Sequence, residues 1–375
     1  MFVLELGLIG LCVAMLPLSY VWAKGSDDRF RKLVWVTTFL TLDLVMFGGF
    51  TRLTDSGLGC PDWPGCYGTS SPFIAHAQIA AAHAALPSGP VSMTKAWIEM
   101  IHRYFAMAIG VLIIAQTAVA WAARFKGRPL DVSPWWPTAL LMLIGVQGAF
   151  GAWTVTMKLQ PVIVTTHLLL GLALLGALGW LAARAAHAPR ARRIPEYEPQ
   201  IARFRLALSG GLALLVLQIA LGGWVSTNYA VLACTDFPTC NGQWIPPMDF
   251  AHGFHLWRAL GMTGDGDVIT QDALVAIHWT HRTFAFVVIA YLVWLALRLR
   301  RFPSLRRPAN GVLAVLVVQF ATGLSNILLQ WPLPIAVAHN GGAAALLLLL
   351  VVLNFRAACS SPGRAAVPAR KAAPA

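Results

Sequence analysis

Charged residues are scarce in this sequence. Lys, Arg, Asp and Glu together make up 11% of its 375 residues, whereas a soluble domain typically carries about 25%. Hydrophobic residues make up 58%, and the mean hydropathy is +0.66. This composition excludes a soluble globular protein and indicates an integral membrane protein.

Apolar runs of about 17–25 residues can cross a bilayer as helices, and we find nine of them. The sequence therefore predicts an all-α integral membrane protein. The predicted spans are 2–22, 33–51, 98–122, 136–155, 161–183, 205–226, 273–297, 309–329 and 333–355.

The first of these runs, 2–22, lacks the features of a cleaved leader. It has no basic n-region and no clear cleavage site of small residues, which secretory signal peptides carry. We therefore expect a retained transmembrane helix rather than a signal peptide.

Basic residues are nearly absent from every second loop. In total, 22 Lys and Arg residues lie in the loops 23–32, 123–135, 184–205 and 298–308 and in the C-terminal tail. The loops that alternate with these along the chain hold four. Because basic loops stay in the cytoplasm, the N-terminus is predicted to be periplasmic and the C-terminus cytoplasmic, in a bacterial inner membrane. The net charge of +13 is thus a topology signal, and no nucleic-acid partner is expected.

The chain contains an internal repeat of four predicted spans. The segment GGFTRLTDSGLGCPDWPGCYG at 48–68 matches GGWVSTNYAVLACTDFPTCNG at 222–242, with a constant offset of 174. An even number of spans gives both copies the same orientation. The repeat therefore predicts two tandem four-helix transmembrane bundles related by a pseudo-two-fold axis along the membrane normal, plus one extra N-terminal helix.

These patterns predict five regions along the chain. They are an N-terminal helix with its cytoplasmic loop (1–32), a first bundle (33–184), a cytoplasmic linker (185–204), a second bundle (205–355) and a disordered cytoplasmic tail (356–375).

Each repeat carries two histidines near the outer ends of its second and fourth spans. They lie about 6–13 Å deep at the helical rise. Opposed imidazoles in a membrane bundle suit a bis-histidine haem. Hydrogen-bonded polar residues within each bundle are the alternative, and a zinc or copper site lacks ligands. The predicted iron ligands are His102, His167, His281 and His339.

Charged residues surround the first histidine of each repeat. Glu99 lies three residues before His102 and shares its helix face, and His278 occupies the same place before His281. Glu99 could transfer protons beside one haem, or it could simply lie among the headgroups. The neighbouring arginines, Arg103 and Arg282, could pair with haem propionates or snorkel to the interface.

Only six cysteines are present. Two pairs with C-x5-C spacing lie in the predicted outer loops, where disulfides persist. Structural disulfides and redox-active pairs are both consistent with this pattern. The pairs are Cys60 with Cys66 and Cys234 with Cys240, while Cys12 and Cys359 are expected to stay reduced.

The sequence resembles the heme A synthase family over roughly residues 33–355. The motifs that carry the resemblance are TRLTDSGLGCPDWPGCYG, IEMIHRYFA, TTHLLLG and AHNGG. The extra first helix and the cysteine pairs in both outer loops are typical of a proteobacterial form.

The resemblance implies an oxidoreductase that hydroxylates the C8 methyl of heme O until it becomes the formyl group of heme A. The substrate haem would lie between His102 and His167, and a heme b between His281 and His339. Glu99 would be catalytic, and the Cys60–Cys66 disulfide would be tied to activity.

The resemblance also implies partners. Heme O synthase would supply the substrate, and heme A would pass to cytochrome oxidase assembly. Membrane lipid surrounds the chain, and the sequence leaves a homo-oligomer open. Two other functions remain consistent with the residues: a diheme cytochrome b that only transfers electrons, and a haem carrier.

Overall fold

The computed structural model describes residues 2–23, 28–127, 130–191 and 199–360. The tail beyond residue 360 and the linker segment 192–198 lie outside the described residues, so the predicted disorder of the tail is not tested there.

The described part of the chain is helical, with nine helices long and apolar enough to cross a membrane. The helices are α1 (Phe2–Ala23), α2 (Arg29–Leu53), α3 (His76–Ala85), α4 (Met93–Phe125), α5 (Trp135–Thr156), α6 (Pro161–Ala191), α7 (Pro199–Ala202), α8 (Arg205–Thr227), α9 (Phe250–Gly253), α10 (Gln271–Leu299), α11 (Pro303–Leu328) and α12 (Leu333–Cys359). All except the short helices α3, α7 and α9 are long enough to span. The nine predicted spans and the all-α class are confirmed.

Two helices begin before their predicted spans, α4 by five residues and α10 by two, and a polar residue caps each of them. The Ser92 hydroxyl accepts a hydrogen bond from the Lys95 N–H at 3.3 Å, and the Thr270 hydroxyl accepts one from the Ala273 N–H at 3.3 Å. Such caps satisfy N–H groups that have no partner within the helix. They extend α4 and α10 beyond the apolar runs, toward the cysteine loops.

The ends of two predicted regions are helical where a linker or tail was expected. Helix α6 continues to Ala191, and α12 continues to Cys359. The Arg356 guanidinium donates to the Ser304 carbonyl oxygen, which ties the last turns of α12 to the start of α11.

The long helices form two groups of four. In the first group α2 packs against α4 and α6, and α5 packs against the same two helices. In the second group α8 packs against α10 and α12, and α11 does likewise against α10 and α12. Helix α1 lies outside both groups and packs mainly on α4.

The two groups meet through reciprocal contacts. Helix α2 packs on α12, and α8 packs on α6. A Cβ on Gly49 would lie 3.0 Å from Asn340 Nδ2, and one on Gly223 would lie 3.0 Å from Leu168 Cδ2. Leu168 and Asn340 occupy equivalent positions at the offset of 172. Each half therefore contacts the other through equivalent positions.

At the C-terminal ends of α2 and α8, residues contact their own repeat equivalents. The Arg52 guanidinium donates to the Ser226 carbonyl oxygen at 2.6 Å and lies over the Tyr229 ring at 4.0 Å from its centroid. The Tyr229 hydroxyl donates to Asp55 Oδ1 at 2.6 Å. Both hydrogen bonds span 174 residues. Contacts between equivalent positions support the predicted pseudo-two-fold axis, which would pass close to them.

Both loops predicted to lie outside contain the predicted disulfides, Cys60–Cys66 and Cys234–Cys240, with Cα atoms 5.0 and 4.7 Å apart. In the first loop the Asp62 carboxylate accepts hydrogen bonds from the backbone N–H groups of Tyr67 and Gly68, at 2.6 and 2.7 Å.

Asp236 repeats this arrangement in the second loop, with the N–H groups of Asn241 and Gly242 as donors. Its hydrogen bonds, above all that from Thr239, lower the pKa of the Asp236 carboxyl. The repeated aspartates therefore fix the shape of both disulfide loops.

Mass spectrometry of unreduced, digested protein tests this loop structure. We expect Cys60 linked to Cys66 and Cys234 linked to Cys240, whereas Cys12 should react with an alkylating reagent after denaturation without reductant. The matched control is the same digest after reduction, in which all these peptides should be alkylated. A peptide that joins the two loops would contradict the pairing.

Candidate functional site

Each of the four predicted haem-ligand histidines lies against a glycine of the preceding long helix. A Cβ on any of these glycines would approach the imidazole Cε1 atom to 2.9–3.2 Å, which is closer than side chains normally tolerate. The glycines let the ring lie directly on the backbone of its neighbour. The pairs are Gly48 with His102, Gly151 with His167, Gly222 with His281 and Gly323 with His339.

Within each half the two histidines lie near one another, His102 with His167 and His281 with His339. The structure thus brings together the predicted pairs, on α4 with α6 and on α10 with α12. This is the placement that two axial ligands of a haem require.

The second histidine pair is held by side chains at one ring nitrogen. Gln218 Nε2 lies 3.0 Å from Nδ1 of His281, and Thr322 Oγ1 lies 3.0 Å from Nδ1 of His339. Contacts at Nδ1 restrict the orientation of each imidazole. An imidazole that binds metal through Nε2 donates its Nδ1–H; the Thr322 hydroxyl can accept it, whereas the Gln218 amide would have to present its oxygen. Gln319 Nε2 lies 3.3 Å from Nε2 of His339, so this amide would have to move for that nitrogen to hold a haem iron.

The first histidine pair has a different environment. Nδ1 of His102 and Nδ1 of His167 are buried without a hydrogen-bond partner among the described residues. Gln147 lies beside His167, but its Nε2 donates to the His167 carbonyl oxygen at 3.0 Å instead of contacting the ring. The first pair is therefore less firmly held than the second.

Two imidazoles on facing helices fit a haem iron, which needs only axial ligands from the protein. Within residues 2–23, 28–127, 130–191 and 199–360, no group of three or more His, Cys, Asp or Glu side chains could hold a metal ion.

Glu99 lies in a buried contact between α4 and the first disulfide loop. The residue is 4% exposed. Oε2 accepts a hydrogen bond from the Cys60 N–H at 2.8 Å, and Oε1 accepts one from the Arg103 guanidinium at 2.5 Å. The carboxylate is inside the protein, not among lipid headgroups.

Arg103 continues this contact into the loop. Its Nη1 donates to the carbonyl oxygens of Asp62, Pro64 and Gly65, at 3.0, 3.2 and 2.5 Å. Glu99 and Arg103 together form what we call the loop clamp. A contact between Arg103 and a haem propionate stays a prediction, and the structure gives this arginine a second role.

The second half contains an equivalent clamp without a carboxylate. The Cys234 N–H donates to Nδ1 of His278 at 3.3 Å, and Arg282 donates to the carbonyl oxygens of Pro238 and Thr239 at 3.3 and 3.0 Å. The Glu99–Arg103 ion pair is thus specific to the first half, although the loop geometry is shared.

Sequence comparison of the repeats missed the clamp and the glycine contacts. Gly48, Gly222, Gly151 and Gly323 were visible as matched positions, but nothing in the sequence indicated which side chain each one faces. Gln218 and Thr322 are not among the residues that match between the two repeats. The sequence therefore did not distinguish them from other helix residues.

Comparison with known proteins agrees with this architecture. The family model COX15-CtaA, described as cytochrome oxidase assembly protein, matches residues 31–351. Heme A synthase of Shewanella oneidensis is 38% identical over 327 residues, covering 86% of this chain and 96% of that protein. Heme A synthase of Paracoccus denitrificans is 30% identical over 346 residues, covering 84% of each chain.

The family resemblance seen in the motifs is thereby confirmed. The matched region contains both helix groups, both disulfide loops and all four histidines, so the chain belongs to the COX15-CtaA family of cytochrome oxidase assembly proteins.

Proposed function

We propose that this protein is a heme A synthase, which oxidises the C8 methyl of heme O to the formyl group of heme A. The observation that carries the proposal is the pair of opposed histidines in each half, within a chain that is 38% identical to a heme A synthase. Paired axial ligands explain why the repeat keeps four histidines at one depth.

The two histidine pairs have different roles in this proposal. The second pair, held by Gln218 and Thr322, suits a permanently bound heme b that passes electrons on. The first pair, with Nδ1 atoms that lack partners among the described residues, suits a haem that binds as substrate and leaves as product. A firmly oriented ligand favours retention of a cofactor.

Oxidation of a methyl to a formyl group removes electrons and protons and adds an oxygen atom. The bound haem supplies the reactive methyl and the iron, and the chain must hold it in place and accept protons. His102 and His167 would fix the ring plane. Glu99 lies one helical turn before His102, buried and with its carboxylate held. It is our candidate for proton transfer.

The loop clamp explains how the first disulfide could affect activity. Because Glu99 binds the Cys60 N–H and Arg103 at once, the position of its carboxylate depends on the shape of the Cys60–Cys66 loop. Breaking the disulfide would free the loop and displace the proton-transfer group. A purely structural role for the disulfide, without redox chemistry, is sufficient for this effect.

Location and partners complete the proposal. The chain would lie in the bacterial inner membrane with a periplasmic N-terminus and a cytoplasmic C-terminus, so that both disulfide loops lie on the oxidising side. Heme O synthase would supply the substrate within the membrane. The family description places such proteins in cytochrome oxidase assembly, which would receive heme A.

Haem extraction from purified protein tests the two sites. Coexpressed with heme O synthase, the wild-type protein should contain heme O or heme A together with heme b. His102→Ala or His167→Ala should lower the heme O and heme A content and spare heme b, while His281→Ala or His339→Ala should remove heme b.

The matched control for these variants is Gln147→Ala, which leaves every ring ligand in place and should keep both haem types. If all four histidine variants kept the wild-type haem content and low-spin spectrum, the ligand assignment would be wrong. Heme b alone in wild-type protein would favour a diheme electron carrier over an oxidase.

Substitution of Glu99 by Gln tests the proton-transfer role. Glu99→Gln should still fold and bind both haems, because an amide oxygen can accept one of the two hydrogen bonds. Heme A formation should fall by about 10²–10⁴-fold, the loss typical of a missing general acid or base. Chromatography of extracted haems measures the yield and any hydroxylated intermediate.

The equivalent position in the other half supplies the control. His278→Gln alters the second clamp at the same place and should leave heme A formation close to wild type. Equal losses in the two variants would show that the clamps act only by holding the loops. A wild-type yield in Glu99→Gln would remove Glu99 from the mechanism.

Reporter fusions test the topology. Alkaline phosphatase fused after Ala375 should be inactive, because the enzyme folds only in the periplasm, and a cytoplasmic reporter at the same site should be active. The control fusion follows Gly89, in the outer loop before α4, where the activities should be reversed. Phosphatase activity after Ala375 would invert the proposed orientation.

A further inference from the structure

A groove of about 360 Å³ opens beside the first histidine pair, between α2 of the first half and α12 of the second. Its lining is apolar except for one carboxylate. The residues that line it are Asp43, Met46, Phe47, Phe50 and Val337.

The groove is continuous with the surroundings of His102. The Phe47 ring stacks on the His102 ring, with centroids 6.1 Å apart and planes 28° from parallel. Asp43 lies one helical turn before Phe47, so the two side chains share a face of α2. At the helical rise, Asp43 is about 6 Å deeper in the membrane than Phe47.

Asp43 is an unusual residue for this position. It lies near the middle of α2, a predicted membrane span, and its side chain is exposed at the bundle surface. It makes no hydrogen bond or ion pair with any residue in the described ranges. A carboxyl group within a membrane is expensive, so its presence usually marks a functional site.

The second half has no counterpart to this polar groove. At the offset of 174, Asp43 corresponds to Leu217, Phe47 to Leu221 and Phe50 to Trp224. Helices α8 and α6 pair as α2 and α12 do, so the backbone frame is shared while the carboxylate is not. The groove therefore serves something that only the first half binds.

We propose that the groove binds the isoprenoid tail of the substrate haem, and that Asp43 accepts a hydrogen bond from the hydroxyl group at the base of that tail. The inference rests on the proposed function, since it assigns heme O to the first half. Heme O differs from heme b in carrying this hydroxylated tail, which matches the difference between the two halves.

The chemistry of the groove suits this occupant. The isoprenoid chain is apolar and would contact Met46, Phe50 and Val337, while the hydroxyl group would give Asp43 a partner that it lacks among the described residues. A haem carries its propionates on one edge and the tail on the opposite half of the ring. If the propionates face the outer surface as predicted, the tail would point deeper, where Asp43 lies.

Titration of the first site with two haems tests the proposal. The probes are heme O and protohaem, the tailless haem, added to full-length protein whose second site is filled with heme b. Wild type should prefer heme O. Asp43→Leu should reduce that preference by about fivefold to tenfold, the effect of one lost hydrogen bond, without changing the affinity for protohaem.

Three further variants sharpen the test. Asp43→Asn should keep most of the preference, since its amide oxygen still accepts a hydrogen bond. Val337→Trp should fill the groove and weaken heme O binding more than protohaem binding. Leu217→Ala, at the equivalent place in the second half, is the matched control and should change neither affinity.

The possible results separate this inference from the proposed function. If Asp43→Leu and Val337→Trp both kept the wild-type preference, the groove would be occupied by membrane lipid and the inference would be wrong. His102→Ala should weaken both haems at the first site. If His102→Ala left heme O binding unchanged, the proposed substrate site itself would fail, and the inference with it.

Discussion

The close approach of an imidazole ring to a bare helix backbone is the contact on which the rest of this structure depends. Each histidine lies over a glycine of the preceding long helix, at a place where any added Cβ would approach the ring to 2.9–3.2 Å. The contact sets the separation of neighbouring helices at the depth of the histidines. It also keeps each ring in one orientation, which is what a metal ligand needs.

Both repeats contain this contact between histidine and glycine, and the two halves differ in the residues around it. Both keep the histidines, the glycines, the disulfides and the clamp between the loop and the second long helix. They differ in which groups contact the rings, in Glu99 against His278, and in Asp43 against Leu217. All three differences lie around the two histidine pairs, so the divergence follows the chemistry proposed for each half.

The sequence alone predicted most of the architecture, because membrane insertion depends on properties that are local in sequence. Apolar run length indicated the spans, and matched residues at constant offsets indicated the repeat and both disulfides. The contacts of Glu99 and Arg103 could not be predicted in the same way. Their partners, Cys60 and the carbonyl oxygens of the loop, lie about 40 residues away in sequence, and the path of that loop is set by tertiary contacts.

The hydrogen bonds that join Arg52 to Ser226 and Tyr229 to Asp55 have an evolutionary consequence. In a dimer of identical chains, residues beside the symmetry axis face copies of themselves, so an aspartate there would face an aspartate. Joining the copies into one polypeptide removes that restriction, since each position can then change alone. Two different side chains can occupy equivalent positions across the axis only after fusion, as Tyr229 and Asp55 do, so fusion allowed new contacts between the halves as well as their specialisation.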